Sequence, residues 1–367
     1  MSIPSFLKAR ESVTIIGALG FVAIVGILAP RFVQFDNLSR ILNSTVILAL
    51  LAAGVALVII TRNIDVSVGS TLALTGICAG LMLRDGMAIP LVIVITILFG
   101  AALGAINGIG VTIGRVPSIV MTLGTLGAYR GISFLITGGT SIESVPAEYK
   151  TFGLTKFLGL PLFVWITLAV LIIVGVLMAR TRIGRHIYAT GDNAQGAMLI
   201  GVRTKTMVTL AFSASGALAA VAALVFLSQI GSISNQAGSG IEMRAIAAAV
   251  IGGVALTGGV GTILGASFGA LFITAATSSL SFLGIPGFWG DTMIGAILLI
   301  ALFADARVRA GMEKRRLAAR YARTAQAAPS ADDARASDAP GSGGRPPGSA
   351  AADADAPEPV TTAGGAR

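Results

Sequence analysis

A short polar stretch, TRNIDVSVGS at residues 61–70, interrupts what would otherwise be one long apolar run. Its side chains include a guanidinium, an amide and a carboxylate, on Arg62, Asn63 and Asp65. The flanking runs, LALLAAGVALVII and TLALTGICAGLML, contain no charged residue. Because charged groups are costly beside lipid, they need a partner or a function there. The stretch is therefore either an ordinary connection between two membrane helices or a polar feature with a task of its own.

Three roles are open for this stretch. Asp65 or Ser67 can accept backbone N–H groups at the start of the following helix, where unpaired donors and the helix dipole favour an acceptor. Arg62 and Asp65 can instead form an ion pair that breaks during a functional cycle, which would make them a gate. The third role is direct contact with a transported solute. We favour helix capping, with gating as the main alternative.

A glycine-rich stretch, GGVALTGGVGTILGASFGA at residues 252–270, has some likeness to a nucleotide-binding fingerprint. The spacing of its glycines is wrong by one residue, and no predicted strand precedes it. Gly261, Gly265 and Gly269 recur every four residues, which predicts a small-residue face for close helix packing. The chain contains no GxxxxGK(S/T) sequence, so it is not expected to bind ATP through a phosphate-binding loop. We therefore expect no cofactor in this chain.

Other reactive side chains are few. Cys78 and His186 are the only cysteine and the only histidine, which excludes an intramolecular disulfide and a Cys/His metal cluster. No nucleophile or carboxylate pair accompanies His186, so we interpret it as an interfacial polar residue rather than a base. Arg130 is the only ionisable residue well inside a predicted span. A proton- or sodium-coupled carrier would usually show a series of intramembrane acids, and the sequence has none.

Composition places the chain in a membrane. The 367 residues are 54% hydrophobic and 12% charged, whereas a soluble domain carries about 25% charged residues. The formal net charge of +9 comes from basic residues concentrated in a few loops, as membrane topology requires. This placement argues for contact with lipid and against nucleic acid as a partner. The sequence thus predicts an all-α polytopic membrane protein.

Apolar runs of about 20 residues predict ten transmembrane helices. The eighth run is short, and a re-entrant or broken helix around 244–265 is an alternative. Residues 1–11 are then an N-terminal segment, 12–304 the transmembrane domain, 305–324 a basic segment and 325–367 a disordered tail. The predicted spans are 12–30, 41–61, 66–83, 88–110, 117–137, 161–179, 207–230, 244–257, 262–281 and 290–304.

Basic residues set the predicted orientation. The loop 180–206 holds five basic residues against one acid, and the segment 305–323 holds seven basic residues. Basic loops stay on the cytoplasmic side of a membrane, so both segments are expected there. Lys8 and Arg10 place the N terminus on the same side. Two cytoplasmic termini require an even number of spans, which agrees with ten.

The loop 180–206 contains a predicted helix, DNAQGAMLIGV. Asp192 or Asn193 can cap its start, and Gly201 can end it. The helix either lies on the protein or lipid surface or docks a cytoplasmic partner. Its apolar surface is offered by Ala197, Met198, Ile200 and Val202.

Four blocks follow one another along the chain: NIDVSVGS, VPSIVMTLGTLGAYRGISFLITGG, GRHIYATGDNAQGAMLIGV and IEMRAIAAAVIGGVALTGGVGTILGA. In order and spacing they resemble permease subunits of bacterial sugar ABC importers, of the ribose, xylose, rhamnose and autoinducer-2 type, over residues 12–310. TRNIDVSVGS, YATGDNAQGA and SQIGSISNQAGSGIEM are most similar to the autoinducer-2 branch. The resemblance implies a ten-helix architecture similar to that of the larger, type II ABC importers, in the bacterial inner membrane.

The resemblance also implies partners and a docking site. The partners are an ATPase subunit that binds the ATP, a second permease (a copy or a paralogue) and a solute-binding protein outside the membrane. Asp192 stands where sugar permeases more often have glycine, which points to the autoinducer-2 or rhamnose branch. The loop from Gly184 to Val202 corresponds to the coupling helix that fits a groove on the ATPase. Its matching residues are Gly184, Arg185, Gly191, Asp192, Asn193, Ala197 and Gly201.

The predicted function is translocation of a small polar, carbohydrate-like solute by alternating access, without a bond change and so without enzymatic activity. A stand-alone carrier or channel would work without ATP, and a membrane enzyme would need a catalytic dyad or metal site. Hydroxyl and amide side chains should line the pathway, although each can equally bond within the helix bundle. The pathway candidates are Ser44, Thr45, Asn107, Thr122 and Thr125.

Overall fold

Helices form nearly all of the regular structure. The computed structural model describes residues 10–143, 145–300, 303 and 307. Within that part, the strands β1 (Lys156–Phe157) and β2 (Leu160–Pro161) form an antiparallel hairpin, and Pro30–Val33 is a 3-10 turn. The helices are α1 (Arg10–Leu28), α2 (Phe35–Ile60), α3 (Val68–Arg84), α4 (Ile89–Thr112), α5 (Ser118–Thr137), α6 (Ala147–Leu154), α7 (Leu162–Arg180), α8 (Arg182–Asp192), α9 (Ala194–Leu199), α10 (Thr204–Ile230), α11 (Ile241–Ile251), α12 (Ile263–Phe282) and α13 (Trp289–Ile300).

A helix lies at each position where the sequence predicts a span: α1 to α5, α7, and α10 to α13. Among the described residues, 6 helices are long and apolar enough to cross a membrane, namely α2, α4, α5, α7, α10 and α12. Three further helices, Ile16–Leu28, Val68–Arg84 and Trp289–Ile300, are apolar but shorter. The predicted class, an all-α protein with several membrane spans, is therefore confirmed. Residues 1–9 of the predicted N-terminal segment 1–11 lie outside the described residues, and α1 begins within that segment, at Arg10. The predicted segments 305–324, apart from Arg307, and 325–367 also lie outside the described residues.

The eighth predicted span is a broken helix. Helix α11 has 11 residues, which at 1.5 Å per residue gives about 16 Å, roughly half of a bilayer core. Residues 252–262 then run without helical structure before α12 begins. The two helices approach closely, because a methyl group at Gly265 would overlap the carbonyl oxygen of Gly252, and one at Gly269 that of Ala248. The prediction that Gly261 belongs to this packing face is wrong, because Gly261 lies in the connection with a φ of 138°.

Helix α2 is the centre of the bundle. Every residue from Thr45 to Ile60 is buried, and α7, α10, α11 and α12 pack around it. A helix buried on all sides must be apolar on all sides, which explains the unbroken run in the sequence. Helices α4 and α10 cross at glycines, since a methyl group at Gly104 would overlap the carbonyl oxygen of Phe212. Such small residues let helix backbones approach in lipid.

Several outer helices present apolar side chains to the surroundings. On α7 the exposed side chains include Leu168, Ile172, Ile173, Val176 and Leu177. A helix whose exposed face is this apolar is suited to contact with hydrocarbon rather than water. The central position of α2 and the outer position of α7 together make a helical bundle that fits inside a membrane.

Candidate functional site

The predicted coupling loop folds into two consecutive helices, α8 and α9. Thr181 caps α8, because its hydroxyl oxygen accepts the Gly184 N–H at 3.2 Å. Gly184 is also needed for space, since a methyl group there would overlap the Met178 carbonyl oxygen. Helix α8 was not expected from the sequence. The sequence features that could have indicated α8 are the capping residue Thr181 and the helical spacing of Gly184, Ile187 and Gly191, which form the buried face of the helix.

Helix α9 begins and ends as the sequence predicts. Between the two alternative caps the structure selects Asn193, whose side-chain oxygen accepts the Gly196 N–H at 2.9 Å. Asp192 is instead the last residue of α8. At the other end Gly201 has a φ of 84°. The N–H groups of Gly201 and Val202 donate to carbonyl oxygens of the last turn at 3.0 Å each, which is a Schellman motif.

The exposed face of α9 differs from the predicted one. Ala197 and Val202 are 4% and 6% exposed and hold the helix onto the protein. The expectation that they offer apolar surface is therefore wrong. Met198, Leu199 and Ile200 are 53%, 89% and 77% exposed instead. These three side chains, which we call the α9 tip, form an exposed apolar patch on a polar loop. Arg185, on α8, is also exposed.

The end of α8 is joined to two other parts of the bundle. A methyl group at Gly191 would overlap the carbonyl oxygen of Ile60, the last residue of α2. That same carbonyl accepts the Gly259 N–H at 2.9 Å. Arg62 donates from Nη2 to the Asp192 carbonyl oxygen at 2.6 Å. We call this meeting of α2, α8 and the 252–262 connection the three-way junction.

A second contact strengthens the three-way junction. The Tyr188 hydroxyl of α8 donates to the Gly261 carbonyl oxygen at 2.7 Å. Gly258 and Gly259 have φ values of 79° and 72°, a backbone region that favours glycine. The glycines of this connection therefore serve the junction rather than a nucleotide.

A buried hydrogen-bond network starts at Asp65, three residues from Arg62. Asp65 is 2% exposed. Its Oδ1 accepts the Ser67 N–H at 3.0 Å and the Ser67 hydroxyl at 2.7 Å, and its Oδ2 accepts the Ser215 hydroxyl at 3.0 Å. Burial raises the pKa of the Asp65 carboxyl, and the bonds from Ser67 and Ser215 oppose that rise.

The network continues across the bundle. Asn107 donates from Nδ2 to the Ser67 hydroxyl at 2.8 Å, and its Oδ1 accepts the Thr125 hydroxyl at 2.7 Å. The side chains thus connect the 61–67 connection with α4, α5 and α10. Because each polar atom has a partner, the network stabilises one arrangement of four elements.

The roles predicted for TRNIDVSVGS are only partly correct. Asp65 does accept an N–H at the start of α3, as the capping role requires. Ser67 is the N-cap residue, but its side chain makes no capping bond. The ion pair between Arg62 and Asp65, which was the basis of the gating alternative, does not form, because Arg62 bonds to Asp192 while Asp65 bonds to hydroxyl groups. Main-chain carbonyl partners of this kind leave no trace in the sequence.

Most of the pathway candidates bond within the bundle. Asn107 and Thr125 belong to the Asp65 network. Thr122 donates to the Ser118 carbonyl at 2.9 Å, and Thr45 donates to the Ile41 carbonyl at 2.8 Å. Ser44 is exposed and lines a cavity of about 240 Å³ together with Arg244, Thr274, Thr277 and Ser278. Across the described residues, no group of three or more His, Cys, Asp or Glu side chains could hold a metal ion.

These features define a class of protein, a multi-pass helical membrane protein whose loop helices are joined directly to its core. Within that class, the chain belongs to the family described as "Branched-chain amino acid transport system / permease component", whose model matches residues 37–302. It is therefore a transport permease. The resemblance drawn from the four sequence blocks is confirmed at this level.

Named relatives cover nearly the whole chain. The autoinducer 2 import system permease protein LsrC of Salmonella typhi is 43% identical over 314 residues, 86% of this chain and 90% of the relative. The protein of the same name from Escherichia coli K12 is 44% identical over 317 residues, 86% of this chain and 92% of the relative. The one from Escherichia coli O157:H7 is 45% identical over 317 residues. No solved structure matches this chain.

Proposed function

We propose that this chain is the transmembrane subunit of an ATP-driven importer that carries autoinducer 2 into the bacterial cytoplasm. The partners are an ATPase subunit, a second permease and a solute-binding protein. The chain lies in the inner membrane with both termini in the cytoplasm. One observation carries the coupling part of the proposal: the exposed α9 tip is connected through α8 to the three-way junction.

The substrate follows from the named relatives. The description of the family mentions branched-chain amino acids, while relatives of 43% and 44% identity are named for autoinducer 2. Identity at this level over most of both chains supports the narrower name over the broad description. A rhamnose- or pentose-type sugar is the nearest alternative substrate, and a stand-alone carrier is the alternative mechanism.

The geometry supports a route for the coupled motion. The ATPase subunit binds ATP and receives the α9 tip, while the permease supplies no ATP site. Movement of α8 acts on Ile60 and Arg62 at the end of α2, and on the connection between α11 and α12. The Asp65 network then ties the 61–67 connection to α4, α5 and α10. A shift of these packed helices between two arrangements alternates the access of the solute.

The first experiment changes the α9 tip. The complete importer is expressed with Leu199→Arg and Ile200→Arg together, and the ATPase is co-purified. Because the tip is exposed, the variant should reach normal membrane levels. Two charges on an apolar docking surface should reduce ATPase association at least roughly tenfold, and autoinducer 2 uptake with it.

A matched control keeps the interpretation specific. Leu158 is 74% exposed in the turn between β1 and β2, which is separated from α9 in the sequence by α7 and α8. Leu158→Arg should leave the ATPase bound. Uptake that continues without the ATPase would overturn the importer and favour the stand-alone carrier.

A further inference from the structure

The cavity of about 240 Å³ that Ser44 lines, which we call the Ser44 cavity, lies among four helices. Its polar lining comes from Ser44 of α2, Arg244 of α11, and three hydroxyl-bearing residues of α12, namely Thr274, Thr277 and Ser278. The rest of the lining is apolar and includes Phe226 of α10. Pockets for drug-sized ligands hold about 300–1,000 Å³, so this cavity suits a smaller solute.

The Ser44 cavity lies at membrane depth. Ile60, at the end of α2, and the connection before α12 meet at the three-way junction, so these two helix ends lie on the same side of the bundle. At 1.5 Å per residue, Ser44 is about 24 Å along α2 from Ile60. Thr277 is about 21 Å along α12 from its first residue, Ile263. Because a bilayer core is about 30 Å thick, both helices place the cavity inside the membrane, in the half away from α8 and α9.

The polar groups at this depth include charges. Nη2 of Arg244 lies 2.7 Å from Oδ1 of Asp291 on α13, and the two side chains are 43% and 81% exposed. Ser44 is exposed as well. Ionisable side chains inside a membrane pair with one another and face the protein interior or a water-filled cavity rather than lipid. The Ser44 cavity is therefore suited to water and a polar solute rather than to an acyl chain.

We propose that the Ser44 cavity is the intramembrane binding site for a small, neutral, polyhydroxylated solute. This inference rests on the proposed function and assigns its solute site. The polar lining exchanges for water around the hydroxyl groups of the solute. Phe226 and the rest of the apolar lining pack against the C–H groups of the solute.

The side chains of the cavity can take both roles in hydrogen bonds. The Thr274 and Thr277 hydroxyls donate to carbonyl oxygens of their own helix at 2.9 and 3.0 Å, which leaves their oxygens as acceptors. The Ser44 and Ser278 hydroxyls can donate or accept, and Arg244 has further N–H donors besides the one that meets Asp291. A solute hydroxyl, which both donates and accepts, matches this mixed set.

The charges favour a neutral solute over an amino acid or an anion. Arg244 and Asp291 already neutralise each other. An anion would have to replace Asp291 as the partner of Arg244, and a zwitterion would have to separate the pair. A neutral polyol leaves the ion pair intact.

The first measurement asks whether water reaches the cavity. Ser44→Cys is combined with Cys78→Ala, which removes the only native cysteine. The complete importer in proteoliposomes is treated with a water-soluble methanethiosulfonate reagent, with and without ATP. Because the thiolate is the reacting form, a thiol in contact with water should be labelled.

Ser267→Cys in the same background is the matched control, since Ser267 lies on α12 but lines a separate, apolar cavity. We expect labelling at position 44 at least about tenfold faster than at position 267. No labelling at position 44 in either condition, or labelling no faster than at position 267, overturns the site.

The second measurement is the number of autoinducer 2 molecules imported per ATP hydrolysed, at saturating solute-binding protein. Thr277→Val and the double change Ser44→Ala with Ser278→Ala are compared with wild type. We expect both variants to import about tenfold fewer molecules per ATP, because each loses hydrogen-bond partners of the solute. The melting temperature and the co-purification of the ATPase and the second permease should be unchanged.

Ser267→Ala removes a hydroxyl from the same helix outside the cavity and should match wild type. Normal import per ATP in both cavity variants overturns the site. Loss of the second permease from the complex also overturns it and makes the cavity part of a subunit interface.

The wild-type complex tests the proposed function separately. If it imports D-ribose or L-rhamnose rather than autoinducer 2, the substrate of the proposed function is wrong, while a tenfold loss of that sugar's import in the cavity variants still supports the site. If it imports L-leucine and none of these hydroxylated solutes, both the function and the site are overturned.

Discussion

The guanidinium of Arg62 lies 2.6 Å from the main-chain oxygen of Asp192, a residue 130 positions further along the chain. One partner belongs to the connection after α2, and the other is the last residue of α8. The bond therefore links the loop helices to the centre of the bundle. It also shows that the charge in TRNIDVSVGS serves a contact between elements rather than a local ion pair.

Replacing Arg62 by alanine should uncouple ATP hydrolysis from transport. The bond is exposed, so the variant should fold and assemble. Loss of a charge-assisted hydrogen bond at the junction should reduce autoinducer 2 uptake per ATP by about tenfold. Arg84→Ala is the control, because Arg84 is an exposed arginine that bonds only to its neighbour Asp85 among the described residues. Equal uptake per ATP in Arg62→Ala and wild type would contradict a coupling role.

Replacing Asp65 by alanine should lower stability before it affects transport. Three buried donors, on Ser67 and Ser215, would lose their acceptor. Leaving such groups unpaired costs about 2 kcal/mol or more. Membrane yield and the melting temperature of the purified complex measure this loss. Normal yield with lost uptake would instead give Asp65 a role in the transport cycle itself. Thr45→Val is the control, since its hydroxyl bonds only within its own helix.

Replacing Gly191 by alanine should disrupt the three-way junction by sterics alone. The added methyl group would overlap the Ile60 carbonyl oxygen, which already accepts the Gly259 N–H. Relieving such an overlap costs about 1–3 kcal/mol. We expect a lower melting temperature and lower uptake per ATP. Gly175→Ala on α7 adds the same methyl group in open space and should match wild type. An unchanged Gly191→Ala variant would mean that α8 is free to shift.

Replacing Gly69 by alanine should displace the connection 231–240 between α10 and α11. A methyl group there would meet the Gly238 carbonyl and the buried oxygen of Glu242. Relieving this overlap should cost about 1–3 kcal/mol and lower the melting temperature of the purified complex, while ATPase association should persist. Gly124→Ala, which meets no neighbour in the described structure, is the matched control. An unchanged melting temperature for Gly69→Ala would show that this connection can shift without cost.

Much of the fold could be predicted because lipid imposes simple rules. A membrane span must satisfy its own backbone groups, so apolar runs such as that of α2 and α7 indicate helices directly. The break at Gly252 could also be predicted, as an alternative, because the apolar run that begins at Arg244 is too short for a span. The start and the end of α9 could be predicted from Asn193, which caps the first turn, and from Gly201, which ends the helix.

The site was harder to predict because its contacts run to the main chain. Arg62, Arg130 and Tyr188 all donate to carbonyl oxygens, and a carbonyl carries no residue-specific signal. The buried side of α9 was also misjudged. Ala197 and Val202 are apolar like Met198, and composition cannot distinguish an inward from an outward apolar side chain on a six-residue helix.

The three-way junction can form only late in the synthesis of the chain. Its parts come from Ile60, Gly191 and Gly259, which leave the ribosome far apart in time. The α9 tip is made before Gly259, so the junction below α8 is complete only after the connection before α12 has been made. A truncated or stalled chain would therefore present a loosely held tip.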